Sequence, residues 1–176
     1  MNFKISAWSA IINAVIVIPL LVIISIVLSQ PGNIVLLSSY ILISLISLIA
    51  YILILMGFIS LANLTKNIFL RNMAYVILVV GILSLIIEIM TLFKEFAISD
   101  IVILIIVGIT SILFGISVLK LKEVFGGIAT GLGVLYIIEG AFEVTIIFVL
   151  LVPLTMIIIS ILEAILFFNA AKKYTV

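Results

Sequence analysis

The chain has 176 residues, of which 68% are hydrophobic and only 9% charged, and its net charge is +1. Soluble domains are about half apolar and a quarter charged, so this chain has too few charges to cover a water-facing surface. Several of its apolar stretches reach the about 20 residues that a helix needs to cross the hydrocarbon core of a bilayer. The composition therefore predicts a multi-pass membrane protein of the all-α class.

Two residue types that do most protein chemistry are missing. The chain has no cysteine, which excludes disulfides, thiolate metal sites and thiol nucleophiles, and no histidine, the commonest metal ligand and general base. Asp100 is the only aspartate, so an aspartyl dyad is excluded as well. We therefore expect a protein that is not an enzyme and that holds no cofactor and no metal.

Apolar runs and the polar segments between them predict six transmembrane helices, at residues 5–28, 34–61, 73–93, 101–119, 124–149 and 153–171. The first run is longer than the apolar region of a signal peptide and lacks a small-residue cleavage site, so we interpret it as an uncleaved span. It is followed by Pro31 and Gly32, which are typical of a tight turn. Residues 124–171 would form one helix about 70 Å long, so they must contain two spans.

The turn between the fifth and sixth spans has two predicted positions. A turn at Glu139–Glu143 would bring both carboxylates close to water. A turn at Leu150–Pro153 would place Pro153 in the first turn of the last helix, where its missing N–H costs nothing. We favour the second position.

The loop charges predict the orientation. With the N-terminus inside, the inner loops hold seven cationic residues and the outer loops hold only Lys94. The inner residues are Lys4, Lys66, Arg71, Lys120, Lys122, Lys172 and Lys173. By the positive-inside rule, both termini are predicted to be cytoplasmic, with the chain in the cell membrane.

Similar segments recur along the chain. The third and fifth spans contain "GILSLIIE" (Gly81–Glu88) and "GVLYIIE" (Gly133–Glu139), and three returning spans end in "LMGFISLANLTK", "SILFGISVLKLKE" and "SILEAILFFNAAKK". This pattern predicts three tandem helical hairpins, although isoleucine-rich segments also align by chance. The stretches "GITSILFGISVLKLKE" and "GVLYIIEGAFEV" resemble the HdeD-like family of small six-helix membrane proteins. The resemblance implies that architecture and no function.

Small residues are concentrated in the fifth span. Gly127 and Gly131 form a GxxxG motif, and Gly126, Gly133 and Gly140 recur every seven residues. Such residues let helix backbones approach closely in a membrane, where no hydrophobic effect drives association. We favour a central, tightly packed helix; a dimer face or a pore-lining surface is the alternative.

Four glutamates, Glu88, Glu139, Glu143 and Glu163, fall within apolar stretches that contain no lysine or arginine. Burying an ionised carboxylate costs several kcal/mol, so an unpaired one should stay protonated or bind a cation. Glu163 is predicted to lie roughly 13 Å from the inner face, near the midplane. Ionisable groups at such depth are functional candidates by default, and a protonated carboxyl bonded to a neighbouring helix is the alternative.

The fifth span places Tyr136, Glu139 and Glu143 on one stripe, at positions i, i+3 and i+7. Counted along the helix, Glu143 should lie at the outer membrane surface, as part of an acidic rim, with Glu139 one turn below it. Of the four glutamates, Glu163 is the strongest candidate for chemistry inside the membrane.

Two functional classes remain. The first is an accessory or structural subunit that packs against partners in a larger membrane complex, and we favour it from the sequence. The second is a small channel or transporter for protons, cations or small solutes, with Glu163, Glu139, Glu88, Glu143 and Tyr136 along the path. It predicts that the glutamates converge on a cavity. Membrane lipid, other membrane subunits or a second copy of the chain are the expected partners, and nucleic acid is not.

Overall fold

A computed structural model describes residues 2–30, 33–91, 98–146 and 148–174, and this part of the chain is helical without strands. Its helices are α1 (Phe3–Ser29), α2 (Ile34–Leu64), α3 (Ile68–Thr91), α4 (Ile98–Leu119), α5 (Lys122–Phe125), α6 (Gly127–Thr145) and α7 (Val152–Tyr174), with a 3-10 turn at Val149–Leu151. The all-α prediction is confirmed. The predicted turn at Pro31 and Gly32, and Lys94, lie outside the described residues.

Six of the helices are long and apolar enough to cross a membrane, as predicted, and only α5 is short. Asparagines cap three of the six. The Asn33 side-chain oxygen accepts from the backbone N–H of Val35 at 3.2 Å and of Leu36 at 3.3 Å, which satisfies two groups at the start of α2. The side-chain oxygens of Asn2 and Asn67 each accept from one backbone N–H at the start of α1 and α3. Because of the Asn67 cap, α3 begins at Ile68, five residues before the predicted span.

The six long helices form a closed ring. Each packs on the long helix that precedes it and on the one that follows, and α7 closes the ring by packing along α1. Across the ring, α2 and α7 make a minor contact. The buried side chains of all six helices therefore point toward one shared interior, and groups far apart in sequence meet there.

The closest approach in the ring is between α4 and α6. A Cβ atom added to Gly108 would lie 2.6 Å from the carbonyl oxygen of Gly140, and one added to Gly133 would lie 2.8 Å from that of Gly115. Both distances are too short for a real Cβ atom, so only glycine allows the two backbones to touch. The face carrying Gly133 and Gly140 is thus occupied inside the chain by α4.

The other glycines of the predicted packing face are placed differently. Gly126 has a φ of 59° and separates α5 from α6, so it does not belong to the helix. A Cβ atom at Gly127 would meet nothing within 4 Å, and one at Gly131 would make an ordinary contact with Leu162 at 3.7 Å. The GxxxG pair therefore does not form the close crossing; the seven-residue spacing of Gly133 and Gly140 does.

The turn between the last two long helices lies at residues 146–151. Helix α6 continues through Glu139 and Glu143 to Thr145, so the structure excludes a turn at those glutamates. The helix ends there because Ile146 adopts a left-handed conformation, with a φ of 61°. Helix α7 begins at Val152, close to the favoured position, with Pro153 in its first turn, where proline is tolerated.

One end of the ring gathers the cationic loops, and we call it the basic end. The Nζ of Lys173, on α7, lies 3.4 Å from the carbonyl oxygen of Val124, which precedes α6. The Nζ of Lys120, after α4, lies 4.8 Å from the centre of the Phe69 ring in α3. Seven of the eight lysines and arginines lie at this end: Lys4, Lys66, Arg71, Lys120, Lys122, Lys172 and Lys173.

Candidate functional site

Two buried polar side chains meet at the middle of adjacent helices. Glu163 lies eleven residues from either end of α7, and Tyr136 lies nine residues from either end of α6. The Tyr136 hydroxyl donates a hydrogen bond to the Glu163 carboxyl, and only 3% of Glu163 is exposed. The sequence placed Glu163 near the midplane, but it did not pair the two residues.

Glu139 and Glu143 join this pair from the same face of α6. Their side chains are 7% and 8% exposed, and the Glu139 carboxyl interacts electrostatically with those of Glu143 and Glu163. Ser111 of α4 interacts with the Glu143 carboxyl, whose Oε2 is buried without a hydrogen-bond partner in the described part of the chain. Both side chains are thus buried in the ring, and Glu143 is two residues from the end of α6; the acidic rim at the outer membrane surface stays a prediction.

A fifth ionisable group reaches the same region from α2. Tyr51 lies within electrostatic range of Glu139, Glu143 and Glu163, and its hydroxyl donates to the backbone oxygen of Ile77 at 3.2 Å. We call Tyr51, Tyr136, Glu139, Glu143 and Glu163 the carboxyl cluster. It brings together side chains from α2, α6 and α7 in the interior of the ring.

A chain of neutral polar groups adjoins the carboxyl cluster. Asn13 of α1 donates through Nδ2 to the hydroxyl of Ser160 at 3.2 Å, and its Oδ1 accepts from the hydroxyl of Ser47 at 3.1 Å. Ser160 precedes Glu163 by three residues on α7, so the two lie on one face of that helix. Hydrogen bonds thus lead from α2 through α1 to the helix turn that carries Glu163.

Glu88, the fourth glutamate, lies apart from the carboxyl cluster. Its residue is exposed, and its carboxyl accepts a hydrogen bond from the hydroxyl of Tyr40. It lines a polar cavity of about 230 Å³ in the half of the ring away from the basic end. The polar lining of this cavity consists of Asn13, Ser44, Ser47, Tyr51, Ser84 and Glu88. Because Tyr51 and Asn13 belong to this wall, the cavity reaches the edge of the carboxyl cluster.

Aromatic rings fill the interior between the carboxyl cluster and the basic end. The ring centres of Phe58 and Phe114 are 5.1 Å apart, and those of Phe58 and Phe167 are 5.0 Å apart. Phe114 also packs edge-on against Tyr136, with ring centres 4.9 Å apart. All three phenylalanines are completely buried, so this phenylalanine plug closes the ring on that side of the cluster.

The separation of the carboxyl groups limits what the cluster can bind. In the described ranges, no group of three or more His, Cys, Asp or Glu residues is arranged so that it could hold a metal ion. Divalent cations of the calcium type need six or more oxygen ligands around one point. A proton needs only one carboxyl at a time, and neighbouring carboxyl, hydroxyl and amide groups suit its passage from site to site.

Tyr51 and Asn13 are residues of the candidate site that the sequence did not single out. Each carries a polar group within an apolar run, which is a recognisable signal in a membrane helix. Their partners lie on helices remote in sequence, up to 147 residues away for Asn13 and Ser160. The signal was therefore present, but its meaning depends on how the ring closes.

No protein-family model, no curated protein and no solved structure matches the chain, so its function has to be argued from its own residues. The resemblance to the HdeD-like family gains no support from these comparisons. Composition and fold assign the chain to the multi-pass helical membrane proteins, and the comparisons do not change this assignment.

Proposed function

We propose that the chain moves protons across the membrane, with the Tyr136–Glu163 pair as the central exchange site. The observation that carries the proposal is the meeting of three buried glutamates and two tyrosines in the interior of the ring, without a lysine or arginine in the central turns of any long helix. Such groups are costly in a membrane, and proton relays are among the functions that they mark.

The access route on one side is the polar cavity. Glu88 and Tyr40 lie near its outer part, and Tyr51 and Asn13 connect its wall with the carboxyl cluster. A proton taken up there is shared among Glu143, Glu139 and Glu163, and Glu163 is the last of these carboxyls before the phenylalanine plug. Hydroxyl and amide groups, with water in the cavity, complete the route.

On the other side, the phenylalanine plug separates the carboxyl cluster from the basic end. In this proposal the carboxyl cluster exchanges protons through the polar cavity in the described conformation and is closed on the side of the phenylalanine plug. Transport then requires the aromatic rings to move apart, which fits a gated carrier better than an open channel. We place the basic end and both termini in the cytoplasm, because seven cationic residues lie there, and the polar cavity on the outer side of the cell membrane. The arrangement of the six long helices as three tandem hairpins is also part of this proposal.

The second candidate is the accessory or structural subunit. Helix α3 is the least buried of the six long helices, and it exposes a row of large apolar side chains. The row comprises Tyr75, Val76, Val79, Leu83, Ile86 and Met90. A partner helix would cover this surface as readily as lipid. A stoichiometric partner that stays bound after extraction in mild detergent supports this candidate, and a chain that purifies alone supports transport.

Proton flux into vesicles tests the proposal. The purified chain is reconstituted into liposomes that contain a pH-sensitive dye, and a potassium diffusion potential is imposed with valinomycin. We expect acidification of the lumen at a rate that rises with the protein-to-lipid ratio. Protein-free liposomes prepared in parallel measure the passive leak. A rate equal to that leak at every protein-to-lipid ratio would contradict the proposal.

A further inference from the structure

A second cavity lies at the basic end, away from the carboxyl cluster. It has a volume of about 710 Å³ and lies between the loop that joins α2 to α3 and the segment that joins α4 to α6. Three lysines, Lys66, Lys120 and Lys122, line it together with one carboxylate, Glu123. The net charge of its ionisable lining is therefore +2, in a protein with very few charges.

The wall of this basic cavity is held in place by specific contacts. Lys66 adopts a left-handed backbone conformation, with a φ of 56°, and ends α2, and the N–H of Asn67 donates back to the carbonyl oxygen of Ala62 at 2.9 Å. The next residue, Asn67, donates through Nδ2 to the backbone oxygen of Ser117 at 3.2 Å, which ties the loop to α4. Lys120 is kept over the ring of Phe69. The cationic groups are thus presented by anchored segments.

Apart from Thr65 and Asn67, the rest of the lining is apolar, and it continues onto the outer surface of the ring. Ile116 lines the cavity and is 41% exposed. Leu113 and Ile109 follow it along α4 as exposed apolar side chains, one helical turn apart. A ligand in this cavity therefore contacts lysines at the polar end of the cavity and an apolar, lipid-facing stripe of α4 at the other end.

We propose that the basic cavity is a binding site for an anionic phospholipid. The phosphate of the headgroup lies among Lys66, Lys120 and Lys122, and an acyl chain follows the stripe of Ile116, Leu113 and Ile109 along α4. Basic pockets between membrane helices on the cytoplasmic side bind acidic headgroups by this combination of charge and apolar contact. The site is independent of the proposed proton path, because the phenylalanine plug lies between them.

Binding of a defined lipid tests this site. The purified chain in detergent is titrated with phosphatidylglycerol, and the occupancy is followed by native mass spectrometry. The test variant carries Lys120→Gln and Lys122→Gln; the control carries Lys4→Gln and Lys172→Gln, which remove the same charge at the same end outside the cavity. Each lysine contributes about fivefold to the attraction, so we expect roughly 25-fold weaker binding in the test variant and little change in the control.

Three outcomes would overturn the site. Equal weakening in both double variants would mean a general surface attraction, and equal binding of phosphatidylcholine would mean that charge is not recognised. Inorganic phosphate or glycerol 3-phosphate that competes as well as the whole lipid would mean that the ligand is a free phosphate compound. Circular dichroism of both variants confirms that the helices are retained.

Discussion

Replacing Glu163 by glutamine is expected to abolish proton flux in reconstituted vesicles. Glutamine keeps the size of the side chain and an oxygen that accepts the hydrogen bond from Tyr136, but it cannot bind and release a proton. Because Glu163 lies at the centre of α7, no other carboxyl on that helix replaces it. We expect flux to fall to the level of protein-free liposomes, a loss of at least about tenfold, while the helical content is retained.

Glu123→Gln is the matched control for this result. Glu123 is exposed at the basic end and takes no part in the carboxyl cluster, so its replacement should leave flux near the wild-type value. Glu163→Asp should restore part of the flux, since it returns a carboxyl group on a shorter side chain. Wild-type flux in Glu163→Gln, measured on folded protein, would remove the residue from the path.

Replacing Gly108 by alanine is expected to lower the free energy of unfolding by about 2 kcal/mol. The added Cβ atom would lie 2.6 Å from the backbone oxygen of Gly140, and neither backbone can yield without separating α4 from α6. Alanine is the better helix former by about 1 kcal/mol, so a loss would have to come from this contact. The free energy of unfolding is measured by titrating the chain in mixed micelles with a denaturing detergent and recording its helical content by circular dichroism.

Gly131→Ala provides the comparison within α6. A Cβ atom there meets only Leu162, at an ordinary 3.7 Å, so stability should be unchanged or should rise slightly. Equal effects of the two substitutions would mean that the crossing of α4 and α6 is looser than the glycine contacts indicate. It would also reopen the surface of Gly133 and Gly140 for contact with another chain.

The sequence predicted the number and type of the long helices because length and apolarity alone decide these features. It also placed Glu163 near the middle of its span, since depth follows from counting residues along a helix. Counting residues along a helix does not show, however, which way a side chain points around the helix axis. Counting placed Glu143 near the outer end of its span, and it is two residues from the end of α6, but only the structure shows that its side chain is buried in the ring, where glycines bring α6 against α4.

The sequence also could not predict which residues pair when they lie far apart along the chain. Asn13, Ser47 and Ser160 are visible in the sequence as polar residues in apolar runs, but they pair with one another only because α7 closes the ring against α1. Likewise, Tyr51 becomes part of the carboxyl cluster only through the placement of α2 relative to α6 and α7. A single sequence gives no signal for such contacts, because they depend on helix rotation and on the order of helices around the ring.

The protonation of Glu163 in the membrane tests the account most directly. Infrared difference spectra of the reconstituted chain resolve the C=O stretch of protonated carboxyl groups, which shifts in D2O. We expect such a band at neutral pH, we expect it to lose intensity in Glu163→Gln, where Glu139 and Glu143 still contribute, and we expect the part due to Glu163 to change when a proton gradient is imposed. A spectrum of Glu163→Gln identical to that of the wild-type chain, with and without the gradient, would contradict a proton path through this residue.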